Sequence, residues 1–121
     1  MIEAKLLREQ GILVVAPSGE LTSTDFEQLC RLVDPYIEKH GGLDGMLIDA
    51  EAFPGWEDFS NMLSYLRFAR DYETKMERVA AVTDSGFLAI LPKVADYFVG
   101  AEVRHFDYQE RDKALTWLER G

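Results

Sequence analysis

Hydrophobic positions along the chain change period several times, and each change marks an element. Residues 2–8 and 12–16 read as two strands with Gln10-Gly11 as a tight turn between them, which predicts a hairpin. The second run, Ile-Leu-Val-Val-Ala, is apolar on both sides of the strand and so belongs inside a sheet, with Pro17 to Gly19 ending it. A helical pattern follows. Thr24 and Glu27 have capping-box spacing, and Phe26, Leu29, Cys30, Val33 and Ile37 recur every three or four residues. Asp34-Pro35 predicts a kink or a restart, because proline lacks the backbone donor, and His40-Gly41-Gly42 supplies a glycine stop.

The pattern then alternates. Residues 45–50 read as a short buried strand and 78–84 and 102–107 as two further strands, while 57–72, 87–99 and 110–118 read as helices, the middle one bent at Pro92. Strands separated by helices pair in parallel through crossovers, so a mostly parallel sheet with one antiparallel edge is expected. No internal repeat, low-complexity tract or linker interrupts residues 1–121, which read as one domain.

Within this pattern the 57–72 segment is unusual. At 100° per residue, Glu57, Ser60, Ser64, Arg67 and Asp71 fall on one narrow polar stripe. Phe59, Met62, Leu63, Tyr65, Leu66, Phe68, Ala69 and Tyr72 occupy the rest, an arc of roughly 200° where a helix lying on one sheet needs only ~100°. Flanking helices are one cover for this excess. The other is a partner subunit, a partner protein or an apolar ligand. Aromatic rings with polar tips suit such half-wet surfaces. Phe53, Trp56, Phe59, Tyr65, Phe68 and Tyr72 are therefore the candidate partner- or ligand-binding residues.

Charge narrows the partners. Acidic side chains outnumber basic ones 22 to 13, a net charge of -9, and no run of Lys and Arg forms a basic patch. Such a surface repels phosphate backbones, so nucleic acid is not an expected partner. The apolar fraction of 47% excludes disorder. The most apolar stretch, 86–100, is about 15 residues long and broken by Pro92, Lys93 and Asp96, too short and polar for an integral membrane segment. Met-Ile-Glu-Ala-Lys lacks the layout of a signal peptide, and a cytoplasmic location is expected.

Candidate chemistry is sparse. Cys30, the single cysteine, excludes an intramolecular disulfide and lies on the apolar stripe of the first helix, where a thiol is a small hydrophobe. His40 sits at a helix end and His105 in a strand, and two separate histidines make no zinc site. Asp49, Glu51, Glu57 and Asp58 gather after the third strand, where ligands of parallel sheets bind. Glu57 and Asp58 are also what a helix N-terminus prefers. Gly41-Gly42 and Gly45 match no phosphate-loop spacing. No catalytic residue, cofactor or metal is expected.

Several local words carry a resemblance. Gly19-Glu20-Leu21-Thr22 with Asp25-Phe26 and Pro35, then Leu47-Ile48-Asp49 followed by Phe53-Pro54-Gly55-Trp56, resemble the SpoIIAA-like proteins, relatives of the STAS domain. Glu102-Val103-Arg104, Phe106, Ala114 and Trp117-Leu118 resemble that family's closing segment. The resemblance implies an α/β fold of SpoIIAA-like (STAS) type: a mixed, mostly parallel five-stranded sheet, an N-terminal hairpin followed by strand–helix units, and about four helices. It implies a non-enzymatic module acting through protein contacts. A related fold carries lipids, so a small carrier of a lipid or other apolar molecule is the alternative. Phosphorylatable antagonists of anti-sigma factors carry an Asp-Ser pair at the helix start after the third strand. Here that loop reads Glu51-Ala52-Phe53-Pro54-Gly55-Trp56, and its first following serine is Ser60, so the phospho-serine switch is not expected. If the helices all lie on one sheet face, as the resemblance suggests, doubly apolar strands such as Val79-Ala80-Ala81-Val82 need cover from a homodimer partner.

Overall fold

The structure, a computed structural model, describes residues 1–19, 21–51, 57, 60–61, 77–97 and 101–120. Five strands form one mixed sheet in sequential order: β1 (Ile2–Leu7), β2 (Ile12–Pro17), β3 (Gly45–Ala50), β4 (Arg78–Thr83) and β5 (Glu102–Asp107). β1 runs antiparallel to β2, with Ala4 opposite Val15, while β2, β3, β4 and β5 are parallel neighbours. The connection between β1 and β2 is residues 8–11, longer than the two-residue turn expected at Gln10-Gly11. Its bonds are Gly11 N–H to the Leu7 carbonyl at 2.8 Å and Gln10 N–H to the same oxygen at 3.2 Å. Gly11 has φ 70°, and a Cβ there would meet Asp44 Oδ2 at 2.8 Å, so only glycine closes this turn.

Three α-helices are described: α1 (Ser23–His40), α2 (Leu91–Tyr97) and α3 (Arg111–Glu119). The cap of α1 sits two residues earlier than the Thr24–Glu27 spacing predicts. Thr22 is extended and is the N-cap; its hydroxyl accepts from Asp25 N–H at 3.3 Å, and Asp25 Oδ2 accepts from Thr22 N–H at 2.9 Å. That backbone bond, opposed by burial and helped by the Thr22 hydroxyl, holds the Asp25 carboxyl below its ordinary range. Of the kink or restart expected at Asp34-Pro35, the restart does not occur. α1 runs through Pro35 because Val33, Tyr36 and Ile37, on either side of it, are buried against the sheet. The helix ends on Gly41, whose N–H reaches the Ile37 carbonyl at 2.7 Å.

Of the expected 87–99 helix, residues 98–99 lie outside the described residues and the rest is two pieces. Ser85–Ala89 is a 3₁₀ turn capped by Asp84, Ile90 leaves helical geometry with ψ 0°, and α2 begins at Leu91. The break therefore precedes Pro92, which falls in the first turn of α2, where a missing N–H costs no helical bond. A short 3₁₀ turn, Tyr108–Glu110, likewise leads into α3. In the 57–72 segment, Glu57, Ser60 and Asn61 are helical, and the Ser60 hydroxyl donates to the Glu57 carbonyl at 3.0 Å.

The sheet separates two cores. Leu13, Val15, Met46, Ile48, Val79 and Ala81 face α1, Phe87 and Val94 on one side. Ile12, Val14, Leu47, Ala80, Val82 and Phe106 face Ala114 and Leu118 of α3 on the other. Helices thus lie on both faces, and the one-face arrangement implied by the resemblance does not hold. Ala80, Val82 and Leu47 are each 0% exposed within one chain, so their enclosure requires no second copy. α3 comes close enough at Gly45 that an added Cβ would sit 3.2 Å from Leu118 Cδ2 and 3.3 Å from the Arg78 carbonyl oxygen.

Candidate functional site

The carboxyl ends of the parallel strands are where an α/β sheet presents chemistry, since the loops leaving them converge. Parallel register puts Asp49, Val82 and Phe106 in one row and Ala50, Thr83 and Asp107 in the next. On the α3 side of this end, Asp49 Oδ2 lies 3.2 Å from Arg111 Nε. The carboxylate that leads the Asp49, Glu51, Glu57, Asp58 cluster is thereby paired with the first residue of α3. Glu51 and Glu57 are exposed, and Asp58 lies outside the described residues. One residue earlier on α3's approach, Glu110 accepts from Asp107 N–H at 3.1 Å and from Lys113 Nζ at 3.0 Å. The Lys113 bond first, and then the Asp107 backbone bond, keep the Glu110 carboxyl low.

On the α1 side the same strand ends hold a compact knot. His105 Nε2 is 3.2 Å from the carbonyl oxygens of both Thr83 and Asp84, so this nitrogen carries the proton and donates. The imidazole stacks on buried Phe87 with centroids 5.8 Å apart and planes at 17°. The Thr83 hydroxyl donates to the Asp84 carbonyl at 2.9 Å, and Asp84 Oδ1 accepts from Gly86 N–H at 3.1 Å. His105 thus fastens β5 to the exit of β4. His40 is far from it in the chain, its ring 4.2 Å from Tyr36 at the end of α1. Among the described residues no group of three His, Cys, Asp or Glu side chains is placed to hold a metal ion.

Cys30 is half-buried on α1. Burial, then the Asp34 and Glu27 carboxylates, push its thiol above the ordinary range, which favours the unreactive protonated form.

One arrangement was not anticipated from sequence. Arg78 at the start of β4 and Arg104 in β5 converge on Trp117 of α3, with guanidinium carbons 5.0 and 6.0 Å from its ring. Arg104 also lies 4.9 Å from the Phe106 ring, and an Arg78 Nη1 donates to the Trp117 carbonyl. The signal was present: with Arg78 opposite Glu102, Arg104 falls on the same sheet face two residues on. Its partner Trp117 is far away in sequence, and only the docking of α3 brings it there.

Phe53, Trp56, Phe59, Tyr65, Phe68 and Tyr72, the aromatic surface expected to contact a partner or ligand, lie outside the described residues. Among the described residues no helix is long and apolar enough to cross a membrane.

A mixed five-stranded sheet in sequential order, antiparallel at its first edge and covered by helices on both faces, defines an α/β domain whose described polar groups are largely bonded to one another. The family model described as SpoIIAA-like matches residues 12–119, and the chain belongs to that family. No curated protein and no solved structure matches the chain.

Proposed function

We propose that residues 1–121 form a single non-catalytic SpoIIAA-like module that works in the cytoplasm through protein–protein contacts, without a phospho-serine switch. The observation that carries this reading is the family match over 12–119. The described site supports it: Asp49 is paired with Arg111, His105 is bonded to backbone carbonyls, and the Cys30 thiol is pushed towards its protonated form. The contact surface assigned here is the aromatic loop and the 57–72 segment, with Phe53, Trp56, Phe59, Tyr65, Phe68 and Tyr72 as its residues. Its support is the width of the apolar arc in the sequence, about twice what one sheet contact covers.

Large aromatics at the centre of an interface carry most of its binding energy, so truncating two of them abolishes capture more readily than folding. The test compares wild type with Trp56→Ala/Phe68→Ala in affinity capture from native lysate with quantitative mass spectrometry. Specific retained proteins should fall by at least about tenfold in the variant, with circular dichroism unchanged. Equal recovery from both would refute the surface. Native mass spectrometry of the purified chain separates the carrier alternative, because a reproducible bound apolar mass would replace this reading.

A further inference from the structure

The β1 edge of the sheet has a sequence that complements itself. Met1 and Ser18 exchange two backbone bonds, the Met1 nitrogen to Ser18 O at 2.9 Å and Ser18 N–H to Met1 O at 2.8 Å. In an antiparallel ladder such mutually bonded pairs recur at every second residue. Glu3 opposite Ala16, Lys5 opposite Val14 and Leu7 opposite Ile12 are therefore the other inward-bonded pairs. Ile2, Ala4 and Leu6 turn their N–H and C=O groups outward, away from β2. Side chains alternate with the pleat. Ile2 and Leu6 pack half-buried on the α1-side core, and Glu3 and Lys5 stand exposed on the other face.

We propose that this edge pairs antiparallel with β1 of a second copy of the chain, about a two-fold axis through Ala4, making one continuous sheet across the dimer. Ile2 then faces the partner's Leu6, Ala4 faces the partner's Ala4, and all three outward residues of each strand exchange backbone bonds. On the α1 face the Ile2–Leu6 contacts join the two cores across the small Ala4 side chains. On the opposite face Glu3 meets the partner's Lys5, twice by symmetry. Directly opposed cross-strand charges of unlike sign stabilise a sheet, and like signs weaken it. The register is selective for that reason. Moving the axis to Glu3 opposes two glutamates, and moving it to Lys5 opposes two lysines. Shifts that put the axis between residues set outward groups against inward ones and leave no ladder. Unpaired edges invite another strand, and this one specifies which strand and in what register.

This dimer is independent of the aromatic surface assigned above, and Trp56→Ala/Phe68→Ala should leave it intact. Light scattering after size exclusion at high micromolar concentration should give wild type twice the 13.8 kDa chain mass. Glu3→Lys and Lys5→Glu should each weaken self-association by about tenfold, since each turns two attractions into two repulsions. The double variant E3K/K5E should restore it, and an equimolar mixture of the two single variants should form a heterodimer. Ala4→Pro, which removes the central outward N–H at an edge position where proline is tolerated, should give a folded monomer by circular dichroism. A monomeric wild type overturns the proposal. So do single charge variants that dimerise as well as wild type, or a mixture that forms no heterodimer.

Discussion

At the scale of single residues, Asp34 is the least well accommodated side chain described. Its Oδ1 is enclosed without a hydrogen-bond partner among the described residues. Burial first, and then the Glu38 carboxylate, raise its carboxyl above the ordinary 3.8. The sign of the effect on stability follows from linkage. A folded-state pKa above the unfolded one means that the native chain holds the proton more tightly. Whatever Asp34 contributes is fully present below about 3.8 and is lost as pH rises through the folded value. At neutral pH the ionised group therefore opposes folding. Asp34→Asn should raise Tm near pH 7 and change it little near pH 3, as calorimetry at the two pH values would show. A Tm lowered at pH 7 would mean that the carboxylate has a stabilising partner. The residue pattern alone marked Asp34-Pro35 as a kink or a restart; it could not show that the helix continues past it, with Val33, Tyr36 and Ile37 buried on either side. The same limit applies to Asp49 and Arg111, whose 3.2 Å pairing joins residues on separate elements.

At the scale of elements, the inner strands β2, β3 and β4 were legible because their apolar runs are short and buried on both faces, and β3 and β5 occupy the expected 45–50 and 102–107. Helix ends were less so. Thr22–Asp25 and Thr24–Glu27 both present a hydroxyl three residues before a carboxylate, and only backbone geometry decides that Thr22, at ψ 165°, is the cap. Ile90 likewise ends one helix and starts another through its conformation, with no sequence signal beyond the nearby Pro92. The packing of α3 on β3 yields a direct expectation. At Gly45 a methyl group would press on Leu118 Cδ2 at 3.2 Å and on the Arg78 carbonyl at 3.3 Å, one of them backbone that yields little. Gly45→Ala should destabilise the chain by about 1–3 kcal/mol through overpacking. Urea denaturation would measure it, and a neutral result would mean that α3 shifts freely over the sheet.

At the scale of the whole molecule, the sheet is an interior wall with a core on each side. Leu47 faces the α3 side and Ile48 the α1 side, and each is 0% exposed. Leu47→Ala and Ile48→Ala should therefore each cost about 2–5 kcal/mol, the range for large-to-small changes in closed cores. Both losses should be independent of protein concentration in chemical denaturation. A Leu47→Ala loss that grew with concentration would place a second chain over that face. The residue order by itself determined the strand–helix alternation, the sheet's mostly parallel character and the family likeness, because hydrophobic period and turn residues are local properties. It also contained the self-complementary Ile-Glu-Ala-Lys-Leu stretch, although its meaning was not readable there. Only tertiary structure decided which faces the helices cover, where α1 is capped, that Arg78 and Arg104 share Trp117, and that β1 is an edge strand with Ile2, Ala4 and Leu6 directed away from β2. Those outcomes depend on which distant segments compete for the same surface and the same backbone bonds, and such competition is settled only when the chain closes on itself.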